Sequence, residues 1–141
     1  MTSAVVLYHS RRGTTASYGD EIARELANRG VEVITKPLYL ETGLNGIQDA
    51  DYVFLGCWTS GLMFFGQRPE KVFRDYVSRI PNLDRKKVVL FTTYKILTGS
   101  MFRNMSRALP GKPEVLRAKF RSRTGRLSAE DQQKLYFLSS L

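Results

Sequence analysis

Val5-Val6-Leu7-Tyr8 is a short apolar run, and the polar loop Ser10-Arg11-Arg12-Gly13-Thr14-Thr15 follows it one residue later. A continuous apolar run of this length is typical of a strand buried on both faces, as in parallel sheets. Beyond the loop, apolar residues recur at helical spacing from Ala16 to Asn28, and Gly30 stands where a helix would stop. This part of the chain therefore predicts a strand, a loop and a helix.

The same alternation of strand and helix continues along the chain. Further strands are predicted at residues 31–35, 51–56, 87–92 and 115–122, and helices at 69–80, 100–109 and 132–138, the last capped by Ser128, with a short helical turn at 43–48. Five strands that alternate with helices indicate parallel pairing through right-handed crossovers. We therefore predict one α/β domain over residues 1–141, a doubly wound five-stranded parallel sheet with helices on both faces.

The composition fits one folded domain, since 43% of the 141 residues are hydrophobic and 25% are charged. The single cysteine, Cys57, excludes an intramolecular disulfide framework, and with His9 as the only histidine we expect no cysteine/histidine zinc site. No apolar run is long enough for a membrane span, and no export leader precedes the first strand. We therefore expect a cytoplasmic protein.

The net charge of +9 is unevenly distributed. Residues 1–60 hold 5 Lys/Arg and 7 Asp/Glu, whereas residues 61–141 hold 17 Lys/Arg and 6 Asp/Glu. Such a cationic half predicts attraction to an acidic protein, an anionic small molecule or, without specificity, nucleic acid.

Ligands of open parallel sheets bind beyond the carboxyl ends of the strands, and three predicted loops leave those ends, at residues 10–15, 57–66 and 93–99. The first loop enters a helix and carries the hydroxyls of Ser10, Thr14 and Thr15 with Gly13 for a tight turn, which suits a phosphate monoester. It matches neither the Walker loop nor the three-glycine dinucleotide pattern. The alternative is an ordinary hydroxyl-capped helix start.

The second and third loops each carry an aromatic residue, Trp58 and Tyr94. An aromatic residue at a strand end packs against its own domain in most proteins. A planar ligand, however, binds by stacking on aromatic side chains in such positions. Two aromatic loops beside a phosphate loop favour a site for a flat ring with a phosphorylated tail, such as flavin mononucleotide (FMN).

These loops resemble those of the flavodoxin family, and the resemblance extends over the whole chain. Ser10-Arg11-Arg12-Gly13-Thr14-Thr15 is similar to the family's Thr/Ser-x-Thr-Gly-x-Thr loop, with Arg12 in place of a hydroxyl residue, and Gly56-Cys57-Trp58-Thr59-Ser60-Gly61 is similar to its Gly-x-Trp loop. Menaquinone-dependent protoporphyrinogen oxidases are similar in the first loop. The resemblance implies strand order 2-1-3-4-5 and noncovalent FMN, with the phosphate at residues 10–15 and the ring between Trp58 and residues 93–99.

The expected cofactor-binding residues follow from this resemblance: Ser10, Arg11, Arg12, Gly13, Thr14, Thr15, Cys57, Trp58, Thr59, Ser60, Gly61, Thr93, Tyr94 and Gly99. No acid-base, nucleophilic or metal-ligand constellation accompanies them, so we expect no catalytic residue and no metal, and the cofactor carries the chemistry. The same family implies that the peptide of Ser60 and Gly61 turns toward the flavin ring. A buried structural role is the stronger alternative for Cys57.

Basic residues recur at every second position near the end of the chain, with one more just beyond: Arg117, Lys119, Arg121, Arg123 and Arg126. In an extended segment the first four lie on one side. They predict a docking surface for an acidic redox protein or an anionic substrate, or alternatively an edge strand kept soluble by charge. Residues 62–65 are either core or an interface.

Three functions remain open from the sequence. The first is an FMN-binding electron carrier that exchanges electrons with an acidic redox protein. The second is an FMN-dependent oxidoreductase that acts directly on a quinone or a carboxylated molecule. The third is a module without flavin that binds an acidic protein or nucleic acid through residues 117–126. Nucleic acid ranks last because only Phe120 interleaves the basic residues.

Overall fold

A computed structural model describes residues 2–10, 13–38, 47, 49–59, 71–80, 83–84, 86–95, 98–111 and 113–139. The described residues form the strands β1 (Ser3–His9), β2 (Glu32–Pro37), β3 (Tyr52–Trp58), β4 (Lys87–Thr93) and β5 (Glu114–Ser122) and the helices α1 (Thr14–Asn28), α2 (Lys71–Val77), α3 (Met101–Ala108) and α4 (Ala129–Ser139). The strands form one parallel sheet in the order β2-β1-β3-β4-β5. The predicted topology is confirmed. Over the same residues, no helix has the length and apolar character to cross a membrane.

Among the described residues, two helices cover each face of the sheet. On one face, Val5, Leu55 and Leu90 pack with Phe73 of α2 and Met105 of α3. On the other face, Val6, Phe54, Phe91 and Phe120 join α1 and α4, whose contributions include Ile22 and Leu135. Residues alternate between the two cores along each strand because the side-chain period of a strand is two. The double winding predicted from the sequence is therefore present.

The carboxyl ends of β3 and β4 lie further along the chain than the sequence indicated. Cys57 and Trp58, predicted as loop, complete β3, because Cys57 aligns with His9 of β1 and Trp58 with Thr93 of β4. Thr93, also predicted as loop, ends β4. The partner strands extend the ladder over residues whose local pattern indicates a loop. Apart from Ile47, the predicted turn at 43–48 lies outside the described residues.

The ends of two helices follow local sequence signals. Gly30, at φ 85°, closes α1: its N–H donates to the Ala27 carbonyl at 3.1 Å and the Val31 N–H to the Leu26 carbonyl at 3.0 Å. The backbone is left-handed at this position, a conformation that glycine adopts without a steric clash because it has no β-carbon. At the start of α4, Ser128 Oγ accepts from the Asp131 N–H at 3.0 Å and the Asp131 carboxylate accepts from the Ser128 N–H at 3.4 Å. The predicted Ser128 cap is confirmed.

A buried polar contact joins α1 to α4. The Tyr18 hydroxyl donates to Asp131 Oδ2 at 2.7 Å, and both side chains are buried. Burial, reinforced by the hydrogen bond to Asp131, raises the pKa of Tyr18 well above its ordinary value. The tyrosine therefore stays neutral in the folded protein under conditions that ionise it in the unfolded chain.

Tyr18→Phe is expected to lower the free energy of unfolding at pH 7 by about 1–3 kcal/mol, because the buried Asp131 carboxylate loses a donor. The contribution of neutral Tyr18 to stability is complete below the ordinary tyrosine pKa of about 10. It is lost as the pH rises further, because the tyrosine then ionises in the unfolded chain but not in the folded protein. The wild type should therefore lose stability above about pH 10 more steeply than the variant. Urea unfolding between pH 7 and 11 measures this, and parallel pH profiles would contradict it.

Candidate functional site

The β1–α1 loop lies at the carboxyl end of a central strand. Ser10 Oγ accepts a hydrogen bond from the Gly13 N–H at 3.0 Å, and Gly13 begins the helix with φ 88°. Because the capping position is a glycine, it places no side chain over the first turn of α1. Helix starts attract anions through their N–H groups and partial positive charge. Arg11 and Arg12, predicted to join this loop, lie outside the described residues.

Four threonines connect the strand ends, and we call Thr15, Thr59, Thr92 and Thr93 the threonine cluster. Thr15 Oγ1 and Thr93 Oγ1 share a buried hydrogen bond of 2.6 Å, which joins α1 to the end of β4. The Thr59 N–H donates to the Thr93 carbonyl at 2.7 Å, and the Thr59 and Thr92 hydroxyls lie 2.9 Å apart. The three predicted loops therefore begin at one connected edge.

Two aromatic residues stand at this edge. Trp58 ends β3, is half-buried and packs against the core shared with α2 and α3. Tyr94 follows β4, its N–H donates to the Ser122 carbonyl at 3.1 Å, and its half-buried ring lies 5.4 Å from the Arg123 guanidinium. Gly99, at φ 47°, is exposed just before α3. Ser60, Gly61 and residues 62–65 lie outside the described residues.

The Cys57 side chain does not join this edge. Its side chain is fully buried in the core between the sheet and α2 and α3. Its carbonyl accepts from Thr92 Oγ1 at 2.5 Å. This burial agrees with the structural alternative for Cys57, since the alternation of the strand turns the thiol inward. That Cys57 contributes to cofactor binding stays a prediction.

A fourth segment at this edge, the turn between β5 and α4, was not predicted to belong to the site. Ser122 Oγ accepts from the Gly125 N–H at 2.9 Å and donates to the Arg126 carbonyl at 3.1 Å. Gly125 has φ 80°, and a β-carbon there would lie 2.5 Å from the Thr14 carbonyl oxygen. The turn is therefore packed directly on the first turn of α1. Two signals were available: a fifth parallel strand ends at the same edge, and a glycine follows it.

Solved structures of known proteins share this architecture. The chain is similar to the two-electron reduced flavodoxin of Megasphaera elsdenii, with a TM-score of 0.72 and 19% identity over 97% of this chain and 98% of that one. It is similar to oxidised Flavodoxin 2 of Bacillus cereus, with a TM-score of 0.71 and 18% identity over 99% of this chain and 96% of that one. The chain has the flavodoxin fold.

The flavodoxin fold also occurs within a longer similar protein. Rubredoxin oxygen:oxidoreductase of Desulfovibrio gigas matches 99% of this chain with 35% of its own length, at a TM-score of 0.61 and 15% identity. No protein-family model matches the sequence, and the comparison with curated protein sequences gave no match.

The basic residues predicted to form a docking surface do not all lie together in the fold. Lys119 and Arg121 are exposed on β5, whereas Arg123 lies past the end of that strand. Lys119 Nζ lies 5.6 Å from the centroid of Phe102 on α3, which places it on the α3 side of the sheet. The side chain of Arg117 is not described. Lys119 and Arg121 are two residues apart on β5 and so lie on the same side of it, and Arg123 follows the strand with its guanidinium over the Tyr94 ring.

Arg126 lies apart from that group. It lines an open groove along α1 together with Gly13, Ala16, Ser17, Asp20, Glu21 and Arg24. The β5–α4 turn reverses the chain before this residue, and Glu21 Oε2 accepts from the neighbouring Leu127 N–H at 3.1 Å. Arg126 is therefore beside the β1–α1 loop rather than on the α3 side. Within the described residues, no group of three or more His, Cys, Asp or Glu side chains is arranged to hold a metal ion.

Proposed function

We propose that this chain binds FMN noncovalently and carries electrons to and from an acidic redox protein. The observation that carries the proposal is the threonine cluster, which joins the β1–α1 loop to the ends of β3 and β4 through the contacts of Thr15, Thr93 and Thr59. In a doubly wound sheet, this edge is where ligands bind. The turn proposed to bind the phosphate follows β1, and the two aromatic residues stand at the ends of the neighbouring strands β3 and β4.

The phosphate end of the proposed site is built on Ser10, Gly13, Thr14 and Thr15. The Ser10 hydroxyl holds the turn through the Gly13 N–H, and the start of α1 offers N–H groups and partial positive charge to a phosphate monoester. Arg126, exposed on the adjoining turn, adds a cation beside Gly13. Arg11 and Arg12 are proposed ligands on the strength of the sequence.

The ring end is built on Trp58, Thr59, Thr93 and Tyr94. The two aromatic side chains are half-buried, which suits rings that cover a planar ligand on one side and the domain on the other. The main chain of Thr59 is held by the Thr93 carbonyl, so the start of the loop after β3 has a fixed position. Ser60, Gly61 and Gly99 complete the proposed set.

FMN supplies the redox chemistry when it is bound, because its ring takes up and releases electrons. The part of this chain is to bind the phosphate, orient the ring at the strand ends and shield one side of it from water. We assign no catalytic residue, in keeping with an electron carrier.

Titration of the purified chain with FMN should give saturable 1:1 binding at micromolar concentrations or below, equivalent to about −8 kcal/mol or stronger. Trp58 is the single tryptophan of the chain, so quenching of protein fluorescence reports on this site. Riboflavin has the same ring without the phosphate, and we expect it to bind at least about tenfold more weakly, since a charge-assisted hydrogen bond contributes about 1.5–3 kcal/mol. Unchanged Trp58 fluorescence and free-flavin emission at about 100 μM FMN would exclude the proposed function.

A further inference from the structure

The excess positive charge of the chain lies in one segment. Residues 86–128 hold 11 Lys/Arg and a single acidic residue, Glu114, whereas the rest of the chain holds 11 Lys/Arg and 12 Asp/Glu. The segment alone therefore accounts for the net charge of +9, and the remainder is close to neutral. The charge is therefore confined along the chain, and its position in space depends on the fold of this segment.

This segment folds into one edge of the domain, formed by β4, α3 and β5. The cations that we call the basic face are exposed on or next to these elements: Lys95, Arg103, Arg107, Lys119, Arg121 and Arg123. Arg103 and Arg107 are four residues apart on α3, so they project from the same side of that helix. Lys119 reaches toward α3, over the Phe102 ring.

Two of these cations are held over aromatic rings. Lys119 Nζ lies 5.6 Å from the centroid of Phe102, and the Arg123 guanidinium lies 5.4 Å from that of Tyr94. Both distances are within the range of cation–π attraction. Such contacts restrict long side chains before a partner arrives, which reduces the entropy lost on docking.

The basic face borders the ring end of the proposed cofactor site. Tyr94 belongs to that end, Arg123 covers its ring, and the Tyr94 N–H is bonded to the Ser122 carbonyl at the end of β5. We propose that the basic face is the docking surface of an acidic electron-transfer protein. Docking there would place the redox centre of that protein close to the strand ends, where the ring end of the proposed cofactor site lies. This inference rests on the proposed function. It assigns the acidic partner to β4, α3 and β5 and excludes Arg126, which lies beside α1.

The aromatic residues favour a protein over nucleic acid. Proteins that bind single strands present aromatic rings on which bases stack. On the basic face, Phe102 is buried, so Tyr94 alone among its described aromatic rings is partly exposed, and a single ring does not provide a row of stacking positions for successive bases. Among the described residues, the large aromatic side chains that are exposed are Tyr136 and Phe137 on α4, outside this face.

A charge-reversal experiment tests the position of the docking surface. One variant combines Arg107→Glu, Lys119→Glu and Arg121→Glu, and a matched control combines Arg24→Glu, Arg74→Glu and Arg79→Glu, which are exposed on α1 and on or after α2. Each reversal changes the charge by two, so both variants go from +9 to +3 and differ only in where the change lies. Circular dichroism establishes that both are folded.

The probe is an acidic plant-type [2Fe–2S] ferredoxin, titrated into the flavin-free chain at low ionic strength and again at higher salt. The basic-face variant should bind about 30-fold more weakly than the wild type, within the range of electrostatic effects at clustered charges, and the control within about threefold. Wild-type affinity should fall as salt rises. Equal weakening of both variants would overturn the proposal, and so would single-stranded DNA that binds more tightly than ferredoxin at the same salt.

A second measurement follows electron transfer to the FMN-loaded chain. One electron leaves each reduced cluster, and two clusters with two protons from water convert one FMN to its two-electron reduced form. At low salt the rate should be about 10–100-fold lower for the basic-face variant, with unchanged FMN affinity, and unaffected in the control. A chain that binds ferredoxin but not FMN contradicts the proposed function alone. A chain that binds FMN but fails the ferredoxin comparison overturns the docking surface alone.

Discussion

Gly125→Ala is expected to lower the free energy of unfolding by about 3 kcal/mol, the combined cost of a left-handed backbone and of overpacking. The new β-carbon would lie 2.5 Å from the Thr14 carbonyl oxygen, a main-chain atom that cannot move without the first turn of α1. Because that turn forms the phosphate end of the proposed site, we also expect FMN affinity to fall about tenfold, equivalent to about 1.4 kcal/mol. Urea unfolding and the Trp58 titration measure the two effects.

Gly30→Ala is the matched control for this prediction. Gly30 has φ 85°, nearly the same as Gly125, but no atom lies within 4 Å of the position of its β-carbon. The Gly30→Ala variant should therefore lose only the conformational part of the free energy of unfolding, about 1–2 kcal/mol, and bind FMN as the wild type does. If the two variants were equally stable and bound FMN equally, the contact between the β5–α4 turn and α1 would have no structural importance.

Thr93→Val should lower the free energy of unfolding by about 1–3 kcal/mol and the FMN affinity about tenfold. The substitution preserves the side-chain shape but removes the hydroxyl that shares the 2.6 Å bond with Thr15 Oγ1. Thr15 is buried at the start of α1, so its hydroxyl loses a partner and the first turn of α1 loses a hydrogen bond to the end of β4. Riboflavin, which has no phosphate, should lose less than about twofold in affinity.

Two other variants separate positioning of the phosphate from general loss of stability. Thr92→Val removes a buried hydroxyl that bonds the Cys57 carbonyl and Thr59, and none of its described contacts reaches Thr15. We expect a similar loss of stability with an unchanged ratio of FMN to riboflavin affinity. Thr93→Ser keeps the hydroxyl and should restore that ratio. An identical ratio in all of these variants would show that Thr93 has no role at the phosphate end.

Much of the fold could be predicted because its signals are local. Runs such as Val5 to Tyr8 indicate buried strands, and Gly30 and Ser128 end and begin helices through contacts within a few residues. The ends of the strands could not be predicted in the same way. Cys57, Trp58 and Thr93 extend β3 and β4 because neighbouring strands supply hydrogen-bonding partners, and a partner strand is not visible in the local pattern.

The candidate site was predicted in part for a similar reason. The three loops after β1, β3 and β4 were located from the rule that parallel strands end at one edge, and the structure joins them through Thr15, Thr59 and Thr93. The contact between Gly125 and Thr14 and the bond between Thr92 and Thr59 connect residues distant in the chain. Spacing alone does not indicate such contacts.

The alternation of strands and helices, the double winding and the cationic character of the second half follow from the order and chemistry of residues along the chain. Three features required the folded chain: Arg126 lies beside α1, Lys119 reaches toward α3, and the β5–α4 turn packs on the β1–α1 loop. Strand pairing and helix packing place these residues by register and close contact, which are properties of several segments at once.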